Sequence, residues 1–470
     1  MRAGCEKDAC RVSDEIFKRS VRIERPAAEV FAWHERPGAF ARLCPPWERV
    51  EVTRHTGGIR DGARVSLRTK VGPLWARWEI EHRDFVARRQ FRDVLLSGPF
   101  AKWEHLHLIE PAGNGACVLT DEIRYRLPLG VLGRLGGGAF TRRQLARMFA
   151  YRHEVTRADL EMIPMGAAKC VVVSGASGLV GRSLVALLLT QGHTVRKLVR
   201  SAARGADEFF WNPTEGVIAA TALAGADAVI HLGGANVASG RWTAARKSEI
   251  LQSRVEGLRT LALGILNLTP GLRPKVVVSA AAVGFYGERG TEQLNEESRR
   301  GSGFLADVCV AWEGELAAIE ALGARTVTLR TGVVLTPSGG ALAKMLPAFL
   351  LGVGGRLGTG QQLMSWIAPE DLAALYLRAM TDDTWRGAFN AVAPVPVSNA
   401  EFTATLATVL GRPAIFAVPA AALRLIFGEM ADETLLASTA AVPARAQAAG
   451  FAWRHAGLES ALRHELGRGV

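Results

Sequence analysis

The chain has 470 residues, of which 49% are hydrophobic, and carries a formal net charge of +12. One hydrophobic core rarely organises so many residues, so we expect more than one domain. No apolar run is long enough to span a membrane, and no basic run alternates with aromatic residues as in nucleic-acid-binding proteins. The six cysteines are too scattered for a disulfide framework. Together these features predict a soluble cytoplasmic protein that does not bind nucleic acid.

The first region, residues 1–165, predicts an α+β domain. Phe17 to Glu24 alternates like a strand, and a helix follows from Pro26. From Glu48 to Arg126 the sequence has a period of two, broken by glycine-containing turns, which is typical of antiparallel hairpins. A long amphipathic helix is predicted over Thr141 to Ile163. This helix would close over the curved sheet.

Four segments of this region resemble the START-like polyketide cyclase superfamily, whose members have the helix-grip fold. The segments are Phe91–Asp93, Gly98–Phe100, Trp103–His107 and Asp121–Tyr125. The resemblance implies an apolar cavity between the sheet and the long helix, in which a lipophilic ligand is held. The glycine-rich segment 128–138 is expected to form a flap over the mouth of this cavity.

Two histidines in this region share one face of a predicted strand. His105 and His107 are two residues apart, so their side chains point the same way. Two such imidazoles can chelate a metal ion, and they can equally pack or form hydrogen bonds. No third ligand lies nearby in the sequence, so we predict no metal site.

The second region, residues 166–395, begins with a strand, a glycine-rich turn and a helix. The apolar run Cys170–Val173 is followed by Gly175-x-x-Gly178-x-x-Gly181, and a second strand runs over Thr194–Val199. In this βαβ setting the glycines permit a tight turn, backbone approach to a pyrophosphate and close helix packing. The alternative is an ordinary turn that binds nothing. The residues predicted to contact the cofactor are Gly175, Ala176, Ser177, Gly178, Leu179, Val180, Gly181 and Arg182.

The end of the second strand indicates which cofactor is bound. Arg200 stands where an NAD site usually has an acidic residue for the ribose hydroxyls. Because guanidinium matches phosphate oxygens, we predict NADP(H) as the cofactor. The alternative is a solvated arginine. A further buried strand ends at Leu232, Gly233 and Gly234, and these small residues leave room for the ribose and nicotinamide.

The same region resembles the extended short-chain dehydrogenase/reductase superfamily, and more closely its atypical epimerase-like family with a small C-terminal domain. The resemblance implies a doubly wound parallel-sheet Rossmann domain, with a helical domain at 396–470 docked on it. It also implies an NADP(H)-dependent oxidoreductase or epimerase acting on a small substrate. The matching segments are SGASGLVGR (174–182), HLGGANVASGRWT (231–243), GFYG (284–287), GSGFLADVCVAWE (301–313) and SWIAPEDL (365–372).

The catalytic residues are where this sequence departs from the superfamily. Members use a serine or threonine and a Tyr-x-x-x-Lys pair, whose tyrosine exchanges a proton with the substrate. The helix that should bear the pair begins at Gly303–Asp307, without tyrosine or lysine. We therefore predict Tyr286 and Ser279 as catalytic residues, with Ser279 also at the cofactor site. The resemblance of its surroundings adds Lys247.

Two alternatives remain open from the sequence. Tyr286 could be an aromatic side chain that packs beside the cofactor rather than a proton donor. The missing Tyr-x-x-x-Lys pair also permits a non-catalytic or weakly catalytic sensor that binds NADPH and a lipid. The sequence does not identify the substrate or the oligomeric state.

Overall fold

The computed structural model describes residues 14–162 and 167–469, except for the side chain of Val131. The chain forms two compact units, one extending to residue 164 and the other starting at residue 165. Among the described helices, none combines the length and the apolar character that a membrane crossing requires.

The first unit is one antiparallel sheet with three helices in its described part. The sheet order is β1-β7-β6-β5-β4-β3-β2. Its strands are β1 Glu15–Ile23, β2 Val50–Thr56, β3 Arg64–Val71, β4 Leu74–Val86, β5 Gln90–Ser97, β6 Lys102–Pro111 and β7 Cys117–Arg126, and its helices are α1 Ala27–Glu35, α2 Ala39–Leu43 and α3 Gly130–Glu161. This is the predicted helix-grip architecture.

The second half of the long helix α3 packs apolar side chains against the sheet, whereas Leu132, Leu135 and Phe140 near its start are exposed. Leu145 and Phe149 pack with Trp103, Ile123 and Tyr125 of strands β6 and β7. Every second side chain of β6 faces inward as well, so sheet and helix share one core. The burial of these large aromatic and aliphatic groups is what holds the helix on the sheet.

Helix α3 starts at Gly130, so most of the segment 128–138, which we expected to form a flap, is helical. Glycine lowers helix stability by about 1 kcal/mol relative to alanine but does not prevent a helix. At Gly133 the absence of a side chain is required, because a Cβ would lie 1.9 Å from the Pro128 carbonyl oxygen. The glycines here thus permit a close approach between the helix and the segment that precedes it.

The second unit combines a large sheet with helices and several two-stranded pairs. Its strands are β8 Cys170–Ser174, β9 Thr194–Val199, β10 Glu208–Asn212, β11 Val217–Ile218, β12 Ala228–His231, β13 Val276–Ala282, β14 Gln293–Leu294, β15 Arg325–Thr331, β16 Val333–Val334, β17 Gly355–Leu357, β18 Leu363–Met364, β19 Trp366–Ile367, β20 Gly387–Ala391, β21 Val397–Ser398, β22 Phe416–Val418 and β23 Ala440–Ala441. Its helices are α4 Leu179–Thr190, α5 Ala220–Leu223, α6 Ala244–Leu266, α7 Phe304–Gly314, α8 Leu316–Glu320, α9 Gly340–Leu350, α10 Pro369–Thr381, α11 Asn399–Leu410, α12 Ala420–Phe427, α13 Ala444–Ala448 and α14 Leu458–Glu465.

The large sheet has the order β11-β10-β9-β8-β12-β13-β15-β20, in which only the edge strand β11 is antiparallel. The buried valine runs Val171–Val173 and Val276–Val278 form its centre, as expected for strands covered on both faces. Successive strands from β8 to β11 are added on one side of β8, and those from β12 onward are added on its other side, so the strand order reverses between β8 and β12. Ligands of such sheets bind beyond the carboxyl ends of the strands at this reversal. The predicted doubly wound fold is confirmed.

The C-terminal segment pairs with earlier parts of the second unit through its backbone. Strand β23 pairs with β14, β22 with β17, and β21 with β18. The Asp371 carboxylate at the start of α10 accepts hydrogen bonds from the backbone N–H groups of Arg454 and His455, at 2.8 and 3.1 Å. Both backbone pairing and side-chain contacts therefore fix this segment.

Candidate functional site

The turn between β8 and α4 packs so tightly that it tolerates no side chain at Gly181. A Cβ there would lie 2.2 Å from the Gly175 carbonyl oxygen and 2.8 Å from the Ala176 Cα. Gly175 has a φ of +70°, which favours glycine, and its carbonyl accepts a 2.9 Å hydrogen bond from the Gly178 N–H. These contacts press the start of α4 onto the end of β8.

The start of α4 presents its backbone N–H groups without a side-chain cap. Gly178 is extended, with φ −70° and ψ 176°, and no side chain accepts from the first turn. Such a helix start carries partial positive charge and binds anions. The Arg182 guanidinium donates to the Ser177 carbonyl at 2.9 Å and braces the turn. The residues present therefore fit the diphosphate of a dinucleotide.

The end of β12 lies directly against this turn. A Cβ on Gly175 would lie 3.0 Å from the Leu232 carbonyl carbon and 3.1 Å from the Gly233 nitrogen. At Gly234 a Cβ would meet the Arg254 guanidinium carbon at 3.1 Å. The structure thus brings Leu232, Gly233 and Gly234 beside the glycine-rich turn, and it adds Arg254, which the sequence analysis missed.

A neutral histidine, His231, contacts the end of β8 just before the glycine-rich turn. His231 is fully buried, and its Nδ1 lies 2.7 Å from the Ser174 hydroxyl oxygen in a hydrogen bond. Its Nε2 has no hydrogen-bond partner among the described residues. Burial, reinforced by the nearby Arg254 charge, lowers the pKa of His231 to about 3. Protonation would therefore place an uncompensated charge under the candidate site.

Arg200 is exposed just beyond β9. Within the described residues its guanidinium forms no ion pair or hydrogen bond, whereas the neighbouring Lys197 pairs with Asp207 at 2.6 Å. An unpaired arginine at this edge of the sheet is available to a phosphate group. Its predicted role in cofactor selection stays a prediction.

Tyr286 lies inside a polar network rather than at an open surface. Its side chain is fully buried, its hydroxyl donates to Asn390 Oδ1 at 2.7 Å, and Arg330 donates to that hydroxyl at 3.1 Å. Arg330 also forms a two-pronged pair with Glu313, both bonds being 2.8 Å. Burial raises the pKa of Tyr286 above its ordinary value. This geometry favours the packing alternative, although the catalytic prediction remains untested.

Ser279 is enclosed by neighbouring strands. It lies on β13 opposite His231 of β12 and Thr328 of β15, and 1% of its surface is exposed. Its hydroxyl donates to the Ala280 carbonyl at 3.0 Å. The register places it in the same layer as the histidine under the turn, so contact with a substrate would require the surroundings to move.

Lys247 is the predicted catalytic residue that remains accessible. It lies on α6, its side chain is 30% exposed, and its Nζ lies 2.5 Å from Glu429 Oε1. The same Nζ lies 4.9 Å from the centroid of the Phe304 ring, and Trp242 packs edge-on against that ring at 5.1 Å. Lys247 therefore lies beside the start of α7, the helix that lacks the usual catalytic pair.

The start of α7 is capped by a residue from far along the chain. The Glu433 carboxylate accepts from the N–H groups of Phe304 and Leu305, both at 2.8 Å. Gly303, with a φ of +106°, allows this approach, since a Cβ there would lie 3.0 Å from a Glu433 carboxylate oxygen. The Glu433 carboxylate thus provides acceptors for backbone N–H groups that have no partner within the first turn of α7.

Three family matches cover most of the chain. Residues 15–161 match the family described as polyketide cyclase/dehydrase and lipid transport, and residues 171–391 match the NAD dependent epimerase/dehydratase family. Residues 418–465 match a domain of unknown function, DUF1731. Both resemblances found in the sequence are confirmed.

Relatives over the second unit define the family. An epimerase family protein of Mycobacterium bovis is 39% identical over 298 residues, covering 63% of this chain and 98% of that protein. Human epimerase family protein SDR39U1 is 33% identical over 296 residues, covering 62% and 98%. The chain belongs to the NAD dependent epimerase/dehydratase family.

Two solved structures are similar as well. A nucleoside-diphosphate sugar epimerase from Corynebacterium glutamicum is 34% identical, with a TM-score of 0.78, and the match covers 96% of this chain and 90% of that one. The human SDR39U1 structure with NADPH is 31% identical, with a TM-score of 0.57, covering 64% and 100%. The Corynebacterium match extends over both units.

Replacing Gly181 with alanine should damage the dinucleotide site. The new methyl group cannot fit beside the Gly175 carbonyl, so the turn and the start of α4 must separate. We expect dinucleotide affinity to fall at least about tenfold, equivalent to about 1.4 kcal/mol, by fluorescence titration with NADPH and NADH. The matched control is Gly314→Ala, where a Cβ meets nothing within 4 Å. Unchanged affinity in Gly181→Ala would contradict the geometry.

The stability of the second unit should fall in acid because of His231. Its pKa of about 3 when folded lies below about 6.5 when unfolded, so its contribution is complete above pH 6.5 and is lost as the pH falls toward 3. Each pH unit in that window costs about 1.4 kcal/mol of unfolding free energy. We measure the free energy of unfolding in urea at several pH values, with hydrogen exchange of the β8 and β12 amides as the probe. In His231→Gln this free energy should fall less steeply with decreasing pH than in wild type. Exposed His55→Gln should keep the wild-type slope, and equal slopes in all three proteins would refute the assignment.

Proposed function

We propose that the protein is an NADP(H)-dependent oxidoreductase or epimerase that acts on a small substrate. The observation that carries this proposal is the packing at Gly181, which leaves an uncapped helix start facing a second glycine-lined strand end. A turn that only reverses the chain does not need three backbone segments in such close contact. The NADPH in the structure of human SDR39U1 supports the same cofactor for this chain.

The preference for NADP(H) over NAD(H) rests on Arg200. The guanidinium is exposed at the end of β9, the edge at which the ribose hydroxyls of a bound dinucleotide are read. An acidic residue would repel a 2′-phosphate, whereas arginine attracts it and can donate two parallel hydrogen bonds. Lys197 is already paired with Asp207, so Arg200 is the better-placed cation of the two.

A bound nicotinamide would supply hydride exchange, and the chain must supply the proton. We propose Lys247 for that role, because an ammonium group can donate a proton to the oxygen that gains negative charge. Its pairing with Glu429 holds the ammonium beside Phe304 at the start of α7. Tyr286 would then be a positioning residue that keeps Asn390 and Arg330 in place.

Nucleoside-diphosphate sugars are the first substrate class to test. The Corynebacterium protein that matches both units is described as an epimerase of such sugars. Lys247 is a partly exposed cation beside the start of α7 and would favour a substrate with acidic groups.

For the first unit we propose a lipophilic ligand between the sheet and α3. The family match to polyketide cyclases and lipid transport proteins supports it. Aromatic side chains also line the inner face of the sheet. Trp78 and Trp103 have ring centroids 5.7 Å apart, and Phe100 lies 4.9 Å from Trp103. Such walls suit an apolar molecule.

A second candidate function is a sensor that holds NADPH with little turnover. The burial of Ser279 and Tyr286 favours it, because neither predicted proton donor reaches a substrate without rearrangement. Tight NADPH binding combined with no transfer of labelled hydride to sugar nucleotides or apolar ketones would support this candidate over an enzyme.

Charge reversal at Arg200 should change cofactor choice. In Arg200→Glu we expect affinity for NADPH to fall about 10- to 100-fold while affinity for NADH changes less, because the loss involves the 2′-phosphate alone. Isothermal titration calorimetry with NADPH and with NADH gives the ratio of the two affinities. Arg204→Glu, an exposed arginine four residues on, is the matched control and should leave the ratio unchanged. A wild-type ratio in Arg200→Glu would refute the assignment.

Two substitutions separate the candidate proton donors. Lys247→Met should slow hydride exchange by about 10²- to 10⁴-fold, the usual contribution of a general acid. Tyr286→Phe should keep most of the exchange rate but lower the unfolding free energy by about 1–3 kcal/mol, since Asn390 loses its donor. Stopped-flow kinetics with labelled cofactor measures the rate of hydride exchange, and urea unfolding measures the free energy of unfolding. A folded Tyr286→Phe protein without exchange would restore Tyr286 as the donor.

A further inference from the structure

The inner face of the first unit carries a cluster of histidines and aspartates that the proposed hydride chemistry does not use. Sheet register assembles it: Asp93 of β5 lies opposite both His82 of β4 and His105 of β6, and His107 lies opposite Asp121 of β7. Helix α3 adds His153, which lies 2.6 Å from Asp121. The four histidines and Asp121 are each at least nine-tenths buried.

Three members of the cluster converge as metal ligands do. One ligand atom from each of Asp93, His105 and His107 lies within 4.8 Å of the others. Asp93 Oδ2 lies 3.6 Å from His105 Nδ1 and 3.5 Å from His107 Nε2. Metal–ligand bonds of about 2.0–2.2 Å place the ligand atoms of a tetrahedral site about 3.4 Å apart. The observed spacing therefore needs little adjustment to accept an ion.

The carboxylate of Asp121 orients His105 through a hydrogen bond and lies close to His107. His105 Nε2 is hydrogen-bonded to Asp121 Oδ1 at 2.8 Å, which leaves its Nδ1 directed to the Asp93 side. His107 likewise has its Nδ1 on the Asp121 side, at 2.8 Å, and its Nε2 on the Asp93 side. A carboxylate behind a ligating histidine is the usual second contact of protein metal sites, since it fixes the ring.

Several short contacts in the cluster are not good hydrogen bonds. His82 Nδ1 lies 2.7 Å from Asp93 Oδ1, yet neither atom has a hydrogen-bond partner of acceptable geometry among the described residues. The same holds for His107 Nδ1. Buried polar atoms without such partners are rare and call for an explanation. Coordination of an ion by Asp93 Oδ2 and His107 Nε2 would fix these side chains without good hydrogen bonds at their other polar atoms.

We propose that Asp93, His105 and His107 bind a divalent first-row transition metal ion. Two imidazoles and one carboxylate are ligands that suit Zn²⁺ and Fe²⁺, whereas Mg²⁺ and Ca²⁺ prefer oxygen alone. Three protein ligands leave a coordination position open to water or to an oxygen atom of a molecule in the unit. The ring of Phe91 stacks on His107 at 4.2 Å and helps to hold it.

The proposed site differs from the sequence-based expectation of no metal site, and the metal-binding measurement below decides between the two. The sequence offered no third ligand because it was judged by distance along the chain, and Asp93 is twelve residues before His105. Pairing of β5 with β6 places these two residues side by side.

Metal binding by the full chain tests the proposal. The purified protein is stripped with a chelator, and Zn²⁺ binding is measured by calorimetry and by elemental analysis after dialysis. Wild type should bind one Zn²⁺ that Asp93→Ala loses, with affinity at least about 100-fold weaker. Asp121→Asn should weaken it about 10- to 100-fold, as expected for an orienting carboxylate. The exposed His55→Ala variant, on β2 of the same sheet, should bind as wild type does.

A Co²⁺ titration keeps the test valid if an alanine variant misfolds. Wild type should give the visible absorption of a four- or five-coordinate Co²⁺ site. His105→Cys should keep the ion and add a sulfur-to-cobalt charge-transfer band, which only a direct ligand produces. Absence of Zn²⁺ and Co²⁺ binding to wild type, or full retention in folded Asp93→Ala, would overturn the proposal.

Discussion

The contact between the Gly175 carbonyl and the backbone of Gly181 is the constraint on which the second unit depends. It sets how closely α4 lies on β8, and the same turn lies against the end of β12. The ends of β8 and β12 and the start of α4 thereby meet at the point where the strand order reverses. Because the space is occupied by backbone alone, the N–H groups of the helix start stay open to an anion. Family membership and site geometry therefore point to the same edge of the sheet.

Around this edge, the tyrosine that we predicted as a proton donor belongs to a buried polar network. Tyr286 joins Asn390, Arg330 and Glu313 in a network that is satisfied internally. A buried network of this kind gives rigidity. Lys247 and Glu429 are more open, and they come from a helix and a C-terminal segment that the usual catalytic pattern does not involve. If the enzyme is active, its acid–base group has moved to a different element.

The sequence was sufficient for the fold because the signals were local. Valine runs, the glycine triplet and hairpin turns each report their structure within a few residues, so the helix-grip and doubly wound architectures could be predicted. Contacts set by sheet register or by distant segments were not predictable. Asp93 meets His105 only through strand pairing, and Glu433 meets Phe304 across 129 positions. The enclosure of the Tyr286 hydroxyl was not predictable either, because a motif does not show whether a hydroxyl is buried.

The Glu433 cap carries a consequence for how this protein can diversify. The carboxylate that completes α7 is encoded in a part of the gene that relatives could exchange as a block. A graft of another C-terminal segment would leave the first amides of α7 without an acceptor, unless the incoming piece brought its own carboxylate to the gap beside Gly303. A pair of hydrogen bonds thus links the two segments, and chimaeras that leave these amides without an acceptor should be less stable.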